Sequence, residues 1–396
     1  MFWAKLIFWV SLGILFYCFI GYTLLLWLLV LIKNFFISNN DTGRIDLPAI
    51  TFIVAAYNEK EIIKAKVQNT LSLDYPEDKL ELIFITDGSD DGTDLVVKNY
   101  SRVNCMHLPQ RKGKSAAINR AMETVTTPVV VFSDANTFLN KDALVKIAHQ
   151  YTHEKIGGVS GEKKVELLSK KNKQGIGEGL YWKYESFLKT LESQFYSVVG
   201  SAGELFSVRT NLFKPIPTHI LLDDFYTALS INKQGYKIVY EQGALATESP
   251  SASLADELKR KVRIAAGAFQ VCSLFAGLLN FFKHPLFAFQ FFSHKILRWY
   301  LAPLCIILLL VSNYFLTAND NIYQWIWYTQ WVFYIAAIIG WLLQKIKLVI
   351  QVLFVPYYFL FMNYCTVLGW FRYLSGKQNV LWEKSKREMQ TSKPMN

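Results

Sequence analysis

Three groups of polar and acidic residues each follow a run of apolar residues in the first half of the chain. Residues 57–59 are Tyr-Asn-Glu, residues 87–93 are Asp-Gly-Ser-Asp-Asp-Gly-Thr, and residues 133–136 are Ser-Asp-Ala-Asn. Carboxylates in such groups bind divalent cations. The basic run 111–114, Arg-Lys-Gly-Lys, adds cations suited to phosphate. This combination is typical of a site for a diphosphate with its metal ion.

Each group also has a plainer interpretation when taken alone. Asp90 and Asp91 have side chains that cap a helix N-terminus. The run 111–114 is equally compatible with a charged cluster in solvent. A shared site is favoured because all three polar groups stand directly after an apolar run.

The apolar runs predict strands that alternate with helices, which indicates an α/β fold with a mostly parallel sheet and flanking helices. Ligands of such sheets bind beyond the carboxyl ends of the strands, where the three polar groups lie. The predicted strands are 50–55, 80–85, 104–108 and 129–132, and the predicted helices follow Glu59 and span 113–123.

Composition argues against a wholly soluble protein. Of 396 residues, 52% are hydrophobic and 18% are charged. Residues 6–32 contain no charge and exceed the roughly 20 apolar residues of a spanning helix. We interpret them as an uncleaved membrane anchor. The alternative, a signal peptide, would end in small residues, whereas this run ends in Leu-Leu-Val-Leu-Ile-Lys.

Two further spans are predicted at 299–316 and 322–343, and a third apolar stretch covers 348–371. Asp320 lies in the loop between the first two, and Lys345 with Lys347 follows the second. By the positive-inside rule the lysines face the cytosol, which places the central domain there too.

The stretch 348–371 leaves two topologies open. A single crossing would put the basic tail 372–396 outside, against the rule. A re-entrant hairpin broken near Pro356 would keep the tail inside.

The segment 281–298 mixes Phe residues with basic ones ahead of the second span. We expect an amphipathic helix in the membrane interface, with a soluble surface helix as the alternative. Its polar residues are Lys283, His284, His294, Lys295 and Arg298.

The net charge of +11 mainly reflects basic residues that lie near the membrane spans and can contact anionic lipid. Residues 33–285 hold 31 basic and 28 acidic side chains, so most of the excess flanks the spans and fills the tail. We therefore expect anionic lipid and no nucleic acid as a partner. No dinucleotide or P-loop glycine motif is present, and the five cysteines lack the C-x-x-C spacing of zinc sites.

From residue 50 to residue 263 the chain resembles the membrane-integral family 2 glycosyltransferases, which include cellulose, hyaluronan and poly-N-acetylglucosamine synthases. The resemblance implies a GT-A-type, Rossmann-like fold with one N-terminal and two or three C-terminal transmembrane helices. It also implies a nucleotide-sugar donor, which for this family indicates a UDP-sugar.

The donor-binding residues are implied by their motif positions. Tyr57 and Glu59 match the opening loop that contacts the nucleoside. Asp87 matches the carboxylate that accepts the uracil N3–H. Lys114 matches the lysine beside the donor phosphates.

The resemblance also implies a metal ligand. Asp134 stands at the first position of the family D-x-D motif and is expected to hold Mg²⁺ or Mn²⁺. Asn136 replaces the second acid. Its neutral oxygen is a weaker ligand, so metal dependence is less firmly implied than in a D-x-D enzyme.

The catalytic residues come from two later motifs. Asp224 matches the general base of the family T-E-D motif, although Asp223 and Asp224 also suit a helix N-terminus. Arg263 matches the diphosphate-clamping arginine of Q-x-x-R-W. Arg260 replaces the Gln and is assigned to the donor phosphates, and Ile264 replaces the Trp, which weakens the case for long-chain processive synthesis.

These residues together predict an inverting glycosyltransferase that moves sugar from a UDP-sugar to a growing glycan. The alternatives are transfer of one sugar to a polyprenyl-phosphate or lipid acceptor, and a non-catalytic sugar-nucleotide sensor. The expected location is a bacterial inner or plasma membrane with the catalytic domain in the cytosol. The predicted divisions are 1–33 anchor, 34–280 catalytic domain, 281–298 interfacial helix, 299–371 membrane region and 372–396 tail.

Overall fold

The computed structural model describes residues 1–36, 46–165, 175–249, 253–318, 320–346 and 348–376, and side chains throughout these ranges except at 175–181. Lys347 and the tail beyond Gly376 lie outside the described residues. The helices are α1 Phe2–Phe16, α2 Tyr22–Phe36, α3 Lys60–Leu71, α4 Thr93–Lys98, α5 Lys114–Met122, α6 Ala143–Gln150, α7 Gly175–Phe195, α8 Asp223–Lys233, α9 Leu254–Leu274, α10 Pro285–Phe291, α11 Ala302–Leu316, α12 Asn321–Lys345 and α13 Gln351–Leu374.

The described residues form one mixed sheet with strand order β3-β2-β1-β4-β7-β6-β8-β5. The pairs β1–β2, β2–β3, β1–β4 and β6–β8 are parallel, and the others are antiparallel. All four strands predicted from the sequence are present. The strands are β1 Ile50–Ala56, β2 Leu80–Asp87, β3 Asn104–Leu108, β4 Val129–Asp134, β5 Thr137–Leu139, β6 Ile156–Val165, β7 Leu205–Arg209 and β8 Lys237–Glu248.

The burial of the central strands explains why the sequence predicts them so clearly. Every residue of β1 is buried, because helices cover both faces of the sheet. Neighbouring β1, β2 and β4 run in the same direction, so their carboxyl ends share one edge. Asp87 ends β2 and Asp134 ends β4 at this edge.

Within the described ranges, four helical segments are long and apolar enough to cross a membrane. The first, Phe2–Phe36, contains the predicted anchor, with a π-helical turn between α1 and α2. The others are Pro285–Leu316, Asn321–Lys345 and Gln351–Leu374. The chain is therefore an integral membrane protein with one N-terminal and three C-terminal candidate spans.

The segment 281–298 differs from the expected interfacial helix. Helix continues from Pro285 through a π-helical stretch to Leu316, so the segment opens the second candidate span. His294 is fully buried and Arg298 is 9% exposed. These side chains do not form a wet polar face, because buried acids of α7 pair with them.

The α7 acids form a buried ionic network with that span. Glu185 bonds Arg298, and Glu192 lies 2.8 Å from His294 Nδ1. Glu192 also accepts a hydrogen bond from Tyr22 of the first span. The network ties α7 to two candidate membrane segments.

Helix α13 is unbroken at Pro356, so no hairpin interrupts the backbone there. Its second half runs parallel to α9. Tyr358 Oη donates to Glu257 at 3.2 Å, and Tyr373 Oη donates to Ser273 Oγ at 3.0 Å. Between them Gly369 packs so tightly that a Cβ there would overlap Ala265. The unbroken helix therefore places the start of the tail beside the end of α9.

Candidate active site

An acid–lysine cluster, consisting of Lys114, Asp134, Asp223 and Asp224, lies at the carboxyl edge of the sheet. Lys114 Nζ lies 2.8 Å from Asp134 Oδ1 and 3.3 Å from Asp223 Oδ2. Lys114 begins α5, Asp134 ends β4, and Asp223 and Asp224 begin α8. Three elements far apart in sequence thus meet at one ammonium group.

Asp224 is partly buried at the start of α8. Its Oδ1 accepts the Phe225 N–H at 2.8 Å, and its backbone carbonyl accepts a bond from Ser201. Gly203 packs against it, since a Cβ there would lie 3.5 Å from Asp224 Oδ2. Burial, followed by the Asp223 charge, raises the pKa of Asp224 to about 7, although Lys114 opposes the shift. A carboxylate with this pKa is suited to act as a base near neutral pH.

Asp134 is partly exposed and holds the position expected of a metal ligand. Burial raises the pKa of its carboxyl group, and Lys114 opposes that shift. The described residues contain no group of three or more His, Cys, Asp or Glu side chains arranged to hold a metal ion. Asp134 therefore fits a metal ion only together with oxygens from phosphates and water, as Mg²⁺ is commonly bound beside nucleotides.

Lys66 lies next to the turn that carries Asp134, and the sequence did not indicate it as a site residue. It is completely buried on α3, and its Nζ donates to Ser133 Oγ at 2.9 Å and to the Thr137 carbonyl at 2.7 Å. Burial lowers the pKa of Lys66 to about 7, with Asp134 opposing. The sequence feature that could have identified Lys66 is its position between Ile63 and Val67, on the apolar face of the predicted helix.

Asp87 organises the loop that leads to Lys114. Its two carboxylate oxygens accept the N–H groups of Lys112, at 2.9 Å, and Gly113, at 2.6 Å. Gly113 adopts φ 95°, which favours glycine. Since a carboxylate has about four lone-pair positions, Asp87 can accept further hydrogen bonds.

The Tyr57 loop lies beside Asp87. The guanidinium of Arg111 stacks on the Tyr57 ring, 3.7 Å from its centroid. The backbone N–H of Glu59 donates to Thr93 at the start of α4. Asp91 accepts the N–H groups of Lys60 and Thr93, so the capping interpretation is confirmed for Asp91.

The two arginines of α9 have different surroundings. Arg260 lies 3.6 Å from Glu248, which also pairs with buried Lys163, and Lys163 in turn pairs with Glu204. Arg263 lies nearer the cluster. Burial lowers the pKa of Arg263, with smaller effects from neighbouring charges that include Asp223.

The structure thus brings Lys114, Asp134 and Asp224 together, with Arg263 beside them. Asp87 adjoins this centre through the loop of Lys112 and Gly113, and the Tyr57 loop lies beyond it. Arg260 pairs with Glu248 at the end of β8. Carboxylates and cations therefore share one edge of the sheet.

The family model of Glycosyl transferase family 2 matches residues 51–214. This chain carries a family 2 glycosyltransferase domain. The resemblance inferred from the motifs is confirmed. The match includes Tyr57, Glu59, Asp87, Lys114 and Asp134 and ends before Asp224.

Curated relatives of this chain include two synthases. The poly-beta-1,6-N-acetyl-D-glucosamine synthase of Staphylococcus aureus strain COL is 27% identical over 260 residues, covering 62% of this chain and 61% of that protein. The synthase of the same name from Staphylococcus epidermidis is 25% identical over 333 residues, or 78% of each. The match to the first relative thus falls short of two thirds of its length.

The fold of the glycosyltransferase has a counterpart among solved structures. The mannosyltransferase PcManGT from Pyrobaculum calidifontis, solved with GDP-Man and Mn²⁺, aligns with a TM-score of 0.69 and 19% identity. The alignment covers 95% of this chain and 99% of that one. This likeness confirms the GT-A-type fold predicted for the chain.

Proposed function

We propose that the protein is an inverting glycosyltransferase that moves a sugar from a UDP-sugar to a growing glycan at the membrane. The observation that carries the proposal is Asp224, a confined carboxylate with a pKa of about 7 beside Lys114 and Asp134. The family 2 domain and the polysaccharide synthases among its relatives support the same reaction class.

Asp224 takes the proton from an acceptor hydroxyl as that oxygen attacks the anomeric carbon. The new carbon–oxygen bond forms on the face opposite the departing diphosphate, so the configuration inverts. No second acid is needed, because Lys114 and Arg263 stabilise the charge of the leaving diphosphate. A Mg²⁺ or Mn²⁺ ion bound by Asp134 would add further neutralisation of that charge.

Asp87 supports uridine as the nucleoside. A carboxylate accepts the single N3–H of uracil, or the two adjacent N–H donors of guanine. Both Asp87 oxygens already accept a backbone N–H, which leaves less room for a two-donor base. Since the mannosyltransferase of similar fold was solved with GDP-Man, binding of UDP and GDP should be compared directly. Tighter binding of GDP would overturn the uridine assignment.

The proposed location is a bacterial inner membrane, with the catalytic domain in the cytosol. Lys345 ends α12, and the start of the basic tail lies beside α9. The positive-inside rule assigns the Lys345 end of α12 to the cytosol and the Asp320 end to the other side. Labelling of single cysteines introduced at Asp142 and Asp320, in intact and opened cells, tests the assignment. Labelling of position 142 in intact cells would contradict it.

The activity is tested with the purified full chain in lipid vesicles, radiolabelled UDP-sugars and sizing of the product. A high-molecular-weight ladder is the expected result. A single organic-soluble product would instead establish transfer to a lipid acceptor. The Asp224→Asn variant serves as the negative control, because it retains the proposed donor site and lacks the proposed base.

A further inference from the structure

Lys66 extends its side chain from the buried face of α3 to both ends of the turn that carries Asp134. Its Nζ donates to Ser133 Oγ at 2.9 Å and to the Thr137 carbonyl at 2.7 Å. Ser133 precedes Asp134 in β4, and Thr137 begins β5. Lys66 and Thr137 are fully buried, and Ser133 is 3% exposed. One ammonium group therefore holds both ends of the turn 134–136 from inside the protein.

The same residues fix the backbone of Asp134 itself. Thr137 Oγ1 donates to the Asp134 carbonyl at 2.9 Å, and the hydroxyl oxygens of Ser133 and Thr137 lie 2.9 Å apart. From this backbone the Asp134 carboxylate reaches the ammonium group of Lys114 at 2.8 Å. The position of that carboxylate therefore depends on the turn that Lys66 holds.

The hydrogen bonds behind the turn continue to the loop beside the proposed base. Ser133 Oγ donates to the Glu204 carbonyl at 3.0 Å. Gly203 precedes Glu204, and a Cβ on Gly203 would lie 3.5 Å from Asp224 Oδ2. The residues that Lys66 contacts thus connect the proposed metal ligand to the proposed base.

Stability alone does not account for a lysine at this place. Burying an ammonium group is costly, and an apolar side chain of similar length would fill the same space at less cost. The metal site supplies another reason. Asp134 is its only assigned protein ligand, because Asn136 replaces the second acid. Groups that hydrogen-bond behind a ligand orient it, and their loss typically weakens metal binding by about 10- to 100-fold.

We propose that Lys66 is a positioning residue of the active site, which holds the Asp134 turn in the orientation that binds a divalent cation together with the donor diphosphate. The inference rests on the proposed function, because that function supplies the nucleotide phosphates and the metal role of Asp134. Lys66 acts through Ser133 and Thr137 and contacts neither the donor nor the ion.

The test uses the full chain in phosphatidylcholine nanodiscs and measures binding without turnover. Electron paramagnetic resonance of free Mn²⁺ gives the Mn²⁺ affinity at saturating UDP, corrected for the Mn²⁺ that UDP binds in solution. Calorimetric titration gives the UDP affinity in Mn²⁺ and in EDTA. Lys66→Met keeps a chain of similar length and removes the donors. Asn69→Ala is the matched control, because Asn69 also lies on α3 and makes two hydrogen bonds with Leu139 of β5.

Lys66→Met should weaken Mn²⁺ binding about tenfold and lower the UDP affinity in Mn²⁺, while the UDP affinity in EDTA changes by less than about twofold. Asn69→Ala should leave all three affinities unchanged. In the Asp134→Ala background, Lys66→Met should cause no further loss of UDP affinity, because both changes act on the same ligand.

Three outcomes overturn the proposal. One is an equal loss of UDP affinity in Mn²⁺ and in EDTA, or with and without Asp134, which would show that Lys66 only supports the fold. Another is Mn²⁺ binding by Lys66→Met that equals or exceeds that of Asn69→Ala. A gain would show that the charge of Lys66 opposes the ion more than its hydrogen bonds help. The third is that the unchanged protein with UDP binds no Mn²⁺.

The same measurements separate this inference from the proposed function. Sugar transfer without metal binding would remove the role of Lys66 and leave the proposed function standing. Absence of transfer together with the expected Mn²⁺ and UDP affinities counts against the proposed function alone.

Discussion

The ammonium group of Lys114 lies 2.8 Å from a carboxylate oxygen of Asp134, although twenty residues separate them. The pair joins the first turn of α5 to the end of β4, and Asp223 of α8 approaches the same ammonium group from a third element. The proposed metal ligand and the proposed phosphate cation are therefore held in contact by the fold itself. Their separation is set by the parallel strands that meet at this edge.

Replacement of Asp224 by Asn removes the proposed base and preserves the size of the side chain. We expect sugar transfer to fall by about 10²-fold or more, while UDP affinity changes by less than about twofold. Transfer rates and UDP titrations of the purified variant provide the measurements. Asp142→Asn, at a half-exposed carboxylate just before α6, is the matched control. Normal transfer by Asp224→Asn would remove Asp224 from the mechanism.

The pH dependence of transfer should follow Asp224. Since burial and Asp223 raise the pKa of Asp224 to about 7, the base form is scarce below that pH and dominant above it. The rate should therefore rise about tenfold from pH 6 to pH 8. Initial rates at saturating donor across this range measure the effect. A rate that stays flat from pH 6 to pH 8 contradicts the assigned role.

Asp134→Ala should weaken binding of the UDP-sugar mainly when a divalent cation is present. Asp134 is the only assigned ligand, so its removal is expected to reduce affinity about tenfold in Mn²⁺ and far less in EDTA. Calorimetric titrations under both conditions provide the comparison. Equal losses with and without the cation would show that Asp134 does not hold a metal ion.

The ion pair between Glu185 and Arg298 should be essential to stability because both side chains are buried. Removing one partner leaves the other charge buried without its counter-ion, which lowers the free energy of unfolding by about 3 kcal/mol. The pair Glu185→Gln with Arg298→Gln should therefore cost less than the two single changes added together. Thermal unfolding of the three variants in detergent measures this coupling. Strictly additive losses would mean that the pair is not coupled.

Strands β1, β2 and β4 were predictable because they are almost entirely buried and their sequences carry a clear signal. The run 50–55 is apolar throughout, and the polar residues after it mark the strand end. The positions of Lys114 and Asp134 at one edge follow from parallel strand order. That order also placed Asp87 at the same edge.

Other contacts depend on pairings that no local pattern reveals. Asp223 reaches Lys114 from more than a hundred residues away, and only the order of family motifs pointed there. The sequence predicted an interfacial amphipathic helix at 281–298, and the burial of His294 and Arg298 could not be foreseen because their partners, Glu185 and Glu192, stand in a distant helix. The pairing of α9 with α13 similarly depends on the fit of Gly369 to Ala265.

The parallel contact of α9 with α13 has a practical consequence for preparing the enzyme. A fragment ended at residue 280 would keep every family motif and yet expose the strip of α9 around Ala265, which now faces Gly369. Such a fragment would be prone to aggregate through that strip. Assays on it would describe a different catalyst, so purification should retain the chain through Gly376 in a lipid-like environment.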